Sequence, residues 1–280
     1  MQDLLSFVKT PDVYTILPST LLKTMPCQTT LSAHLLGSFR ICINNVAVEN
    51  RVKGRSASLL KYLLAHPRQS VSRDTLMELF WPETPCESAR NSLNVALHGV
   101  RQTLRAVSEL PLILHQDGSY KFNPAVAVWL DAELFEEQAQ NGQRLESAGQ
   151  LNAATSAYER AIHAYTGDFM ADDPYADWAV YPRERLRILY LHSLDRLGEI
   201  YFAQQQYDAC IQVGQWLLAR DNCREDAHCR LMRCYSRQQH TALALRQYQL
   251  CVKALRAELD VSPDPRTTQL YEQIRRHQAV

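Results

Sequence analysis

Residues 86 to 106 read Cys86-Glu87-Ser88-Ala89-Arg90-Asn91-Ser92-Leu93-Asn94-Val95-Ala96-Leu97-His98-Gly99-Val100-Arg101-Gln102-Thr103-Leu104-Arg105-Ala106. Leu93, Leu97, Val100 and Leu104 recur at the i, i+4, i+7, i+11 spacing of one helical face, which predicts an amphipathic helix with that stripe packed on a core. A rotation of about 100° per residue puts Asn91, Val95, His98 and Gln102 opposite the stripe, with Asn94, Arg101 and Arg105 on its flank. Amides and guanidinium groups read base edges and grip phosphates. A solvated helix has a polar face too, so the neighbouring segments decide between the two readings.

Upstream, Phe39, Ile41 and Ile43 alternate with Arg40 and Cys42. Asn44-Asn45 then offers turn chemistry before Val46-Ala47-Val48, which predicts a strand, a tight turn and a second strand. Leu59, Leu60, Leu63 and Leu64 stripe a helix over 55–66 that Pro67 ends. Ser70-Val71 reads as a short extended bridge. Ser72 is placed as an N-cap, with Asp74 in the first turn, for a short helix through Leu76, Leu79 and Phe80. Thr84-Pro85-Cys86-Glu87 has the form of a capping box with proline at the first helical position. Downstream, Leu112 to His115, the polar turn Gln116-Asp117-Gly118-Ser119 and Tyr120-Lys121-Phe122 predict a hairpin. Sheet, helix, short strand, helix, long helix and hairpin is the order of a winged helix-turn-helix, whose last helix enters the major groove while the wing lies beside the phosphate backbone. Gln116 and Ser119 are the wing's candidate contacts.

This stretch resembles the output domain of response regulators, and more closely the SARP-type bacterial transcriptional activators. The resemblance rests on Leu59 to Pro67, Val71 to Leu76, Leu79-Phe80-Trp81-Pro82 and Ala89 to Leu97. It implies that Arg90, Asn91, Asn94, His98 and Arg101 fall on positions the family uses at DNA. It also implies that Trp81, Pro82, Glu83, Thr84 and Glu87 belong to a loop that can touch RNA polymerase, and that a dimer binds tandem promoter repeats. Arg90 has another possible use, an ion pair with Glu87 at i−3. The sequence departs from many relatives at His98-Gly99-Val100-Arg101-Gln102, where they carry consecutive arginines. Fewer phosphate contacts follow, and Gly99 costs about 1 kcal/mol of helix propensity relative to alanine.

From Asp131 onward the strong signals are helical, over 131–140, 148–165, 182–204, 207–220, 225–238, 241–259 and 266–277. Tyr207-Asp208-Ala209-Cys210-Ile211 aligns with Thr241-Ala242-Leu243-Ala244-Leu245 at an offset of 34, the tetratricopeptide period, and Leu151-Asn152-Ala153-Ala154 reads as an earlier copy. This half resembles the bacterial transcriptional activator domain through Tyr165 to Phe169, Trp178, Arg183-Glu184-Arg185-Leu186, Leu231-Met232, and Ala257 to Pro265. The fold expected is mainly α with a small antiparallel β component. An extension over 1–32, poorly ordered or dependent on a partner, precedes a winged helix over 33–125 and a tetratricopeptide-like domain over 126–280. The join Ala125 to Leu130 is apolar rather than Gly/Ser-rich, so the two domains are expected to pack together, with Trp129 as anchor.

The chain has 280 residues and no formal net charge, but residues 33–125 hold eleven Lys/Arg against seven Asp/Glu and 126–280 hold seventeen against twenty-one. Eight cysteines form no CxxC pair, and Cys223, His228, Cys229 and Cys234 fit no zinc spacing. Asp168, Asp172, Asp173 and Asp177 lack EF-hand spacing and are interrupted by Pro174, so they read as a solvated, helix-capping loop. No metal and no cofactor are expected. Neither a signal peptide nor an apolar stretch of spanning length is present in the sequence, so the expected location is the cytoplasm, with reduced thiols and no membrane partner. The phosphate loop Gly-x-x-x-x-Gly-Lys-Ser/Thr, Gly-x-Ser-x-Gly and His-Glu-x-x-His do not occur, and no enzymatic activity is expected. The function expected is a DNA-binding transcriptional regulator. Two alternatives stay open: a helical-repeat interaction or ligand-sensing protein whose winged helix binds protein, and a hydrolase assembled from scattered His and acid residues.

Overall fold

The computed structural model describes residues 29–48 and 52–280. The front half opens with β1 (Thr30–His34), β2 (Arg40–Ile43) and β3 (Val46–Ala47). Asn44 and Asn45 take φ of 48° and 66°, the left-handed pair that a two-residue hairpin turn needs. Residues 30–32 therefore belong to a strand, not to the N-terminal extension, and residues 1–28 of that extension lie outside the described residues. Only Leu31 and Ala33 of β1 point into the core, too short an alternation to register in the sequence. The apolar join is also a strand, β7 (Ala127–Leu130), which runs parallel to β1 with Leu31 opposite Val128 and Ala33 opposite Leu130. The sheet order is β3-β2-β1-β7, so it is not purely antiparallel.

The winged helix follows as α1 (Gly54–Ala65), β4 (Val71–Ser72), α2 (Arg73–Phe80), α3 (Cys86–Arg105), β5 (Ile113–Gln116) and β6 (Ser119–Phe122). Ser72 caps α2, its Oγ accepting the Thr75 N–H at 3.0 Å. The capping box expected at Thr84 does not form. Pro85 occupies the N-cap of α3 without a side-chain cap bond, and the Thr84 N–H closes the preceding turn on the Trp81 carbonyl at 3.1 Å. The core is made by Leu59, Leu60, Leu63 and Leu64 of α1, Leu76 and Phe80 of α2, and Leu93, Leu97, Val100 and Leu104 of α3. Each such side chain contributes about 1.5–3 kcal/mol on burial. Gly99 has a packing reason: a Cβ there would stand 3.0 Å from the Ser56 hydroxyl, which donates to the Ala96 carbonyl at 3.1 Å. Its small size lets α1 and α3 cross closely, which the sequence showed only as lost helix propensity.

The rear half is α4 (Asp131–Ser147), α5 (Leu151–Ala164), α6 (Asp177–Ala203), α7 (Tyr207–Arg220), α8 (Glu225–Arg237), α9 (Thr241–Glu258) and α10 (Pro265–Arg275). α6 starts five residues before Pro182, which stands inside it. α4 runs past residue 140. Before α5, α7 and α9 the chain makes the same turn: Gly149, Gln205 and Gln239 take φ of 73°, 58° and 61°, and the next residue is the N-cap of the helix. At each turn paired backbone bonds reach back to the preceding helix, as Gln206 N–H to the Tyr201 carbonyl and His240 N–H to that of Tyr235. The repeat seen in sequence is thus a repeat of geometry, with Leu151 as its first copy.

The halves are locked together at the ends of β1 and β7. The buried Asp131 carboxylate accepts the N–H of Leu35 at 2.7 Å and of Leu36 at 3.1 Å, and its own helix's Ala132 N–H at 2.8 Å. The loop after α5 docks beside it: Gly37 N–H donates to the Asp168 carbonyl at 3.0 Å and Met170 N–H to that of Leu35 at 2.8 Å. Gly37 has φ +82°, and a Cβ on Gly167 would stand 2.8 Å from the Gly37 Cα, so this crossing needs both glycines. Asp172 accepts the Phe39 N–H at 2.8 Å, and Lys61, largely buried, donates to Asp173 at 2.7 Å. Arg183 holds the loop from behind through the carbonyls of Phe169, Met170, Asp173 and Pro174. The acidic cluster, expected to be solvated, is largely a clamp between domains; Asp177 alone keeps the expected place in a helix's first turn. Trp178 packs edge-on against Tyr62 at 5.3 Å, and Trp129 against His34 at the same distance. Asp131→Ala leaves buried amides without an acceptor, each worth about 1–3 kcal/mol. Urea unfolding followed by circular dichroism is expected to show a loss of roughly 3 kcal/mol or more, with Asp131→Asn recovering part of it.

Candidate nucleic-acid interface

α3 is a 20-residue helix, about 30 Å long at 1.5 Å per residue. Its buried stripe turns the opposite face outward. Arg90, Asn91, Asn94, Val95, His98, Gln102 and Arg105 are exposed and Arg101 is half-buried. Val95 is 74% exposed, an apolar side chain held out from the middle of a polar face. Asn94, His98, Arg101, Gln102 and Arg105 line one cleft of about 420 Å³ with Leu97. Arg101 and Arg105 also border a second cleft of about 200 Å³, closed by Leu110 to His115. Arg90 makes no ion pair with Glu87 or any other group among the described residues, and the same holds for Arg105. These guanidinium groups are not consumed by the fold.

The wing is β5 and β6, joined through Asp117 and Gly118 at φ 51° and 72°. It is tied to α2 because β4 pairs with β6, Val71 opposite Tyr120 and Ser72 opposite Ser119. Gln116 is exposed but engaged, its Oε1 accepting from Lys121 Nζ at 3.1 Å. Ser119 is half-buried in the strand pair. The two expected wing contacts are therefore less free than the helix residues. In the loop before α3, Trp81 is half-buried, its ring edge-on to Phe80 at 6.0 Å, whereas Pro82, Glu83 and Glu87 are exposed and Thr84 half-buried.

At the base of the wing three further side chains, Arg73, His115 and Tyr120, meet. Arg73 Nη2 lies 3.3 Å from His115 Nε2, His115 stacks on Tyr120 at 4.6 Å, and the Arg101 guanidinium stands 6.0 Å from the Tyr120 ring. The β4–β6 pairing brings them together, and residues 70–71 show no partner in the sequence alone. Elsewhere, His228 of the former metal candidates has both ring nitrogens engaged, with Gln247 at 2.7 Å and the Asn222 carbonyl at 2.9 Å. Burial holds this imidazole below its ordinary pKa.

Residues 130–275 match the family described as bacterial transcriptional activator domain. The chain belongs to that family. Residues 49–122 match a second description, transcriptional regulatory protein, C terminal, and the pair in this order is that of the SARP-type activators. The chain is 23% identical over 226 residues to the transcriptional regulatory protein MoaR1 of Mycobacterium tuberculosis, covering 79% of this chain and 72% of that protein. MoaR1 of Mycobacterium bovis matches to the same extent. Among solved structures, Mycobacterium tuberculosis EmbR in complex with a low-affinity phosphopeptide superposes with a TM-score of 0.72 at 20% identity, over 90% of this chain and 66% of that one. That likeness shows the fold, a winged helix followed by a tetratricopeptide-like helical domain. No helix among the described residues is long and apolar enough to cross a membrane.

Asn94→Ala is expected to relax base preference at one position by about 1–3 kcal/mol. Arg101→Ala should instead weaken binding evenly and lower the salt slope by about one. Competition binding on duplexes varied base by base, repeated at several salt concentrations, separates the two.

Proposed function

We propose that this family member is a sequence-specific DNA-binding regulator, an activator that binds tandem promoter repeats as a dimer and recruits RNA polymerase. The carrying observation is the outward face of α3. Asn91 and Asn94 suit adenine edges, Val95 suits a thymine methyl, and Arg90, Arg101 and Arg105 carry no protein counter-charge among the described residues. His98 and Gln102 extend that face, while Gln116 and Ser119 place the wing beside the backbone. Copies on tandem repeats are related head to tail, so each would contact the next through unlike surfaces. Polymerase contact is assigned to Pro82, Glu83 and Glu87, with Thr84 at the edge of the patch and Trp81 as the packed support beneath it.

A second reading, partner or ligand recognition, is favoured for the rear half by a groove of about 490 Å³. Leu218, Leu231, Leu250, Lys253 and Glu258 are among the residues that line it. It is compatible with the first reading, since the groove and α3 belong to different domains.

Footprinting of genomic fragments with the purified full-length chain is expected to protect two stretches spaced by a multiple of about 10–10.5 bp. Protection no stronger than on random DNA, together with selective capture of a protein, would favour the second reading instead. In reconstituted transcription, Glu83→Lys is expected to lower transcript yield severalfold while operator affinity stays within about twofold, a change of roughly 0.4 kcal/mol.

A further inference from the structure

We propose that Cys210 and Cys234 form a redox-active thiol pair where α6, α7 and α8 meet, closed to a disulfide by a hydroperoxide and reopened by a small dithiol. The pair does not depend on the DNA-binding reading. Cys210 lies in the first turn of α7 and Cys234 in the last turn of α8. These two helix ends are held side by side, since Gln238, just past α8, donates through Nε2 to Asp208 Oδ1 in α7 at 2.8 Å. Both thiols are free and fully buried. The Cys234 S–H donates to the Cys210 sulfur, and the Cys210 S–H donates in turn to the Gly198 carbonyl of α6 at 3.3 Å. A second observation comes from Arg230 of α8. Its side chain is nine-tenths buried, its Nη2 donates to Asp195 at 2.6 Å, and its Nη1 has no acceptor among the described residues. That Nη1 lies against Gly198, where a Cβ would stand 2.8 Å from it. The residue whose carbonyl takes the Cys210 proton thus also leaves room for an unspent cationic donor.

The surroundings divide the two thiols into different roles. The hydrogen bond from Cys234 holds Cys210 below the ordinary cysteine range, burial acts against it, and the Arg230 charge adds to the lowering. The bond to Cys210, and then burial, raise Cys234. One sulfur is thereby the nucleophile and the other the resolving thiol. Each lies one turn from an exposed residue, Gln205 or Gln239, and helix ends open most readily, which admits a small oxidant. The Cys210 sulfur attacks one peroxide oxygen, the O–O bond breaks, and the released hydroxide takes the thiol proton as water, leaving a sulfenic acid. The Cys234 sulfur then attacks Cys210, the S–O bond breaks, and hydroxide leaves with the Cys234 proton as a second water. The pair loses two electrons and two protons, and the peroxide gains them. A dithiol returns both and becomes a disulfide itself. The new bond ties α7 to α8 and removes the S–H that Cys210 gave to α6. Leu218 of α7 and Leu231 of α8 both line the rear groove, so oxidation fixes part of that groove.

The test treats the full chain with hydrogen peroxide, blocks the remaining thiols with iodoacetamide in denaturant, and maps the unreduced digest by mass spectrometry. The expected product is a peptide linking Cys210 to Cys234, absent when dithiothreitol follows the peroxide. With dimedone present, Cys234→Ser is expected to stop at a trapped Cys210 sulfenic acid, and Cys210→Ser to give neither adduct nor link. Arg230→Lys keeps a charge for Asp195 but withdraws the free Nη1 donor, and should form the link several times more slowly than the parent. Where a variant does not melt like the parent, the digest of the parent decides. A parent in which exposed Cys86 and half-buried Cys223 are oxidised while Cys210 and Cys234 are recovered alkylated overturns the pair, as does Cys210 linked to any other cysteine. A parent rate in Arg230→Lys overturns the part given to Arg230.

Discussion

The carboxylate of Asp131 joins the two halves of the molecule. It is almost fully buried, with Leu35, Leu36 and Ala132 each giving it an amide proton. A buried charge is tolerated only where donors replace water. Here they come from two parts of the chain that must meet, the exit of β1 and the start of α4. The first turn of α4 adds its dipole, which favours an anion at this end. Because Asp131 directly follows β7, the parallel pairing of β7 with β1 and the docking of the helical half are one event. Neither can form fully without the other.

That arrangement makes α1 a shared part of both halves. On one side Lys61 meets Asp173, with Phe39 under its ammonium group, and Tyr62 meets Trp178. On the other, Ser56 bonds to the α3 backbone where Gly99 allows close approach. A displacement of the loop at 168–174 would therefore be felt one helix away from the exposed face of α3. Arg183 opposes such displacement by taking four carbonyls of that loop, including that of Met170, which sits at the unfavourable φ of +51°. One side chain keeps a strained loop in the shape the clamp requires.

How much of this was legible depended on whether the signal was local. The α3 stripe, the Ser72 cap, the Asn44-Asn45 turn and the 34-residue repeat are set by neighbours a few positions apart or by periodicity, and each is where the sequence puts it. The exposed face of α3 followed from the stripe. What was not legible lies between distant segments. β1 carries two inward residues and becomes a strand only because β2 and β7 flank it. The acidic residues 168–173 read as solvated because Phe39, Lys61 and Gly37, their partners, are over a hundred positions away. Thr84 was misread by one position: α3 begins at Cys86, so Pro85 takes the N-cap and Thr84 stands just outside it.

The charge distribution bears on how such a reader could select its site. The front half exceeds neutrality by only four charges, eleven basic residues against seven acidic, and α3 presents three arginines where consecutive ones would give more. On the DNA-binding reading, few phosphate contacts mean a shallow salt dependence and weak attachment to arbitrary DNA, since that attachment is almost wholly electrostatic. Base contacts by Asn91, Asn94 and Val95 then supply a larger share of the binding energy than in a strongly basic winged helix. A single copy would be selective but weak. On the proposed tandem repeats a second copy would restore affinity, because it would bind at the effective concentration set by the first. On the proposed reading, modest charge and a repeated operator would be two parts of one solution, in which sequence choice comes from the helix and residence time from the neighbouring copy.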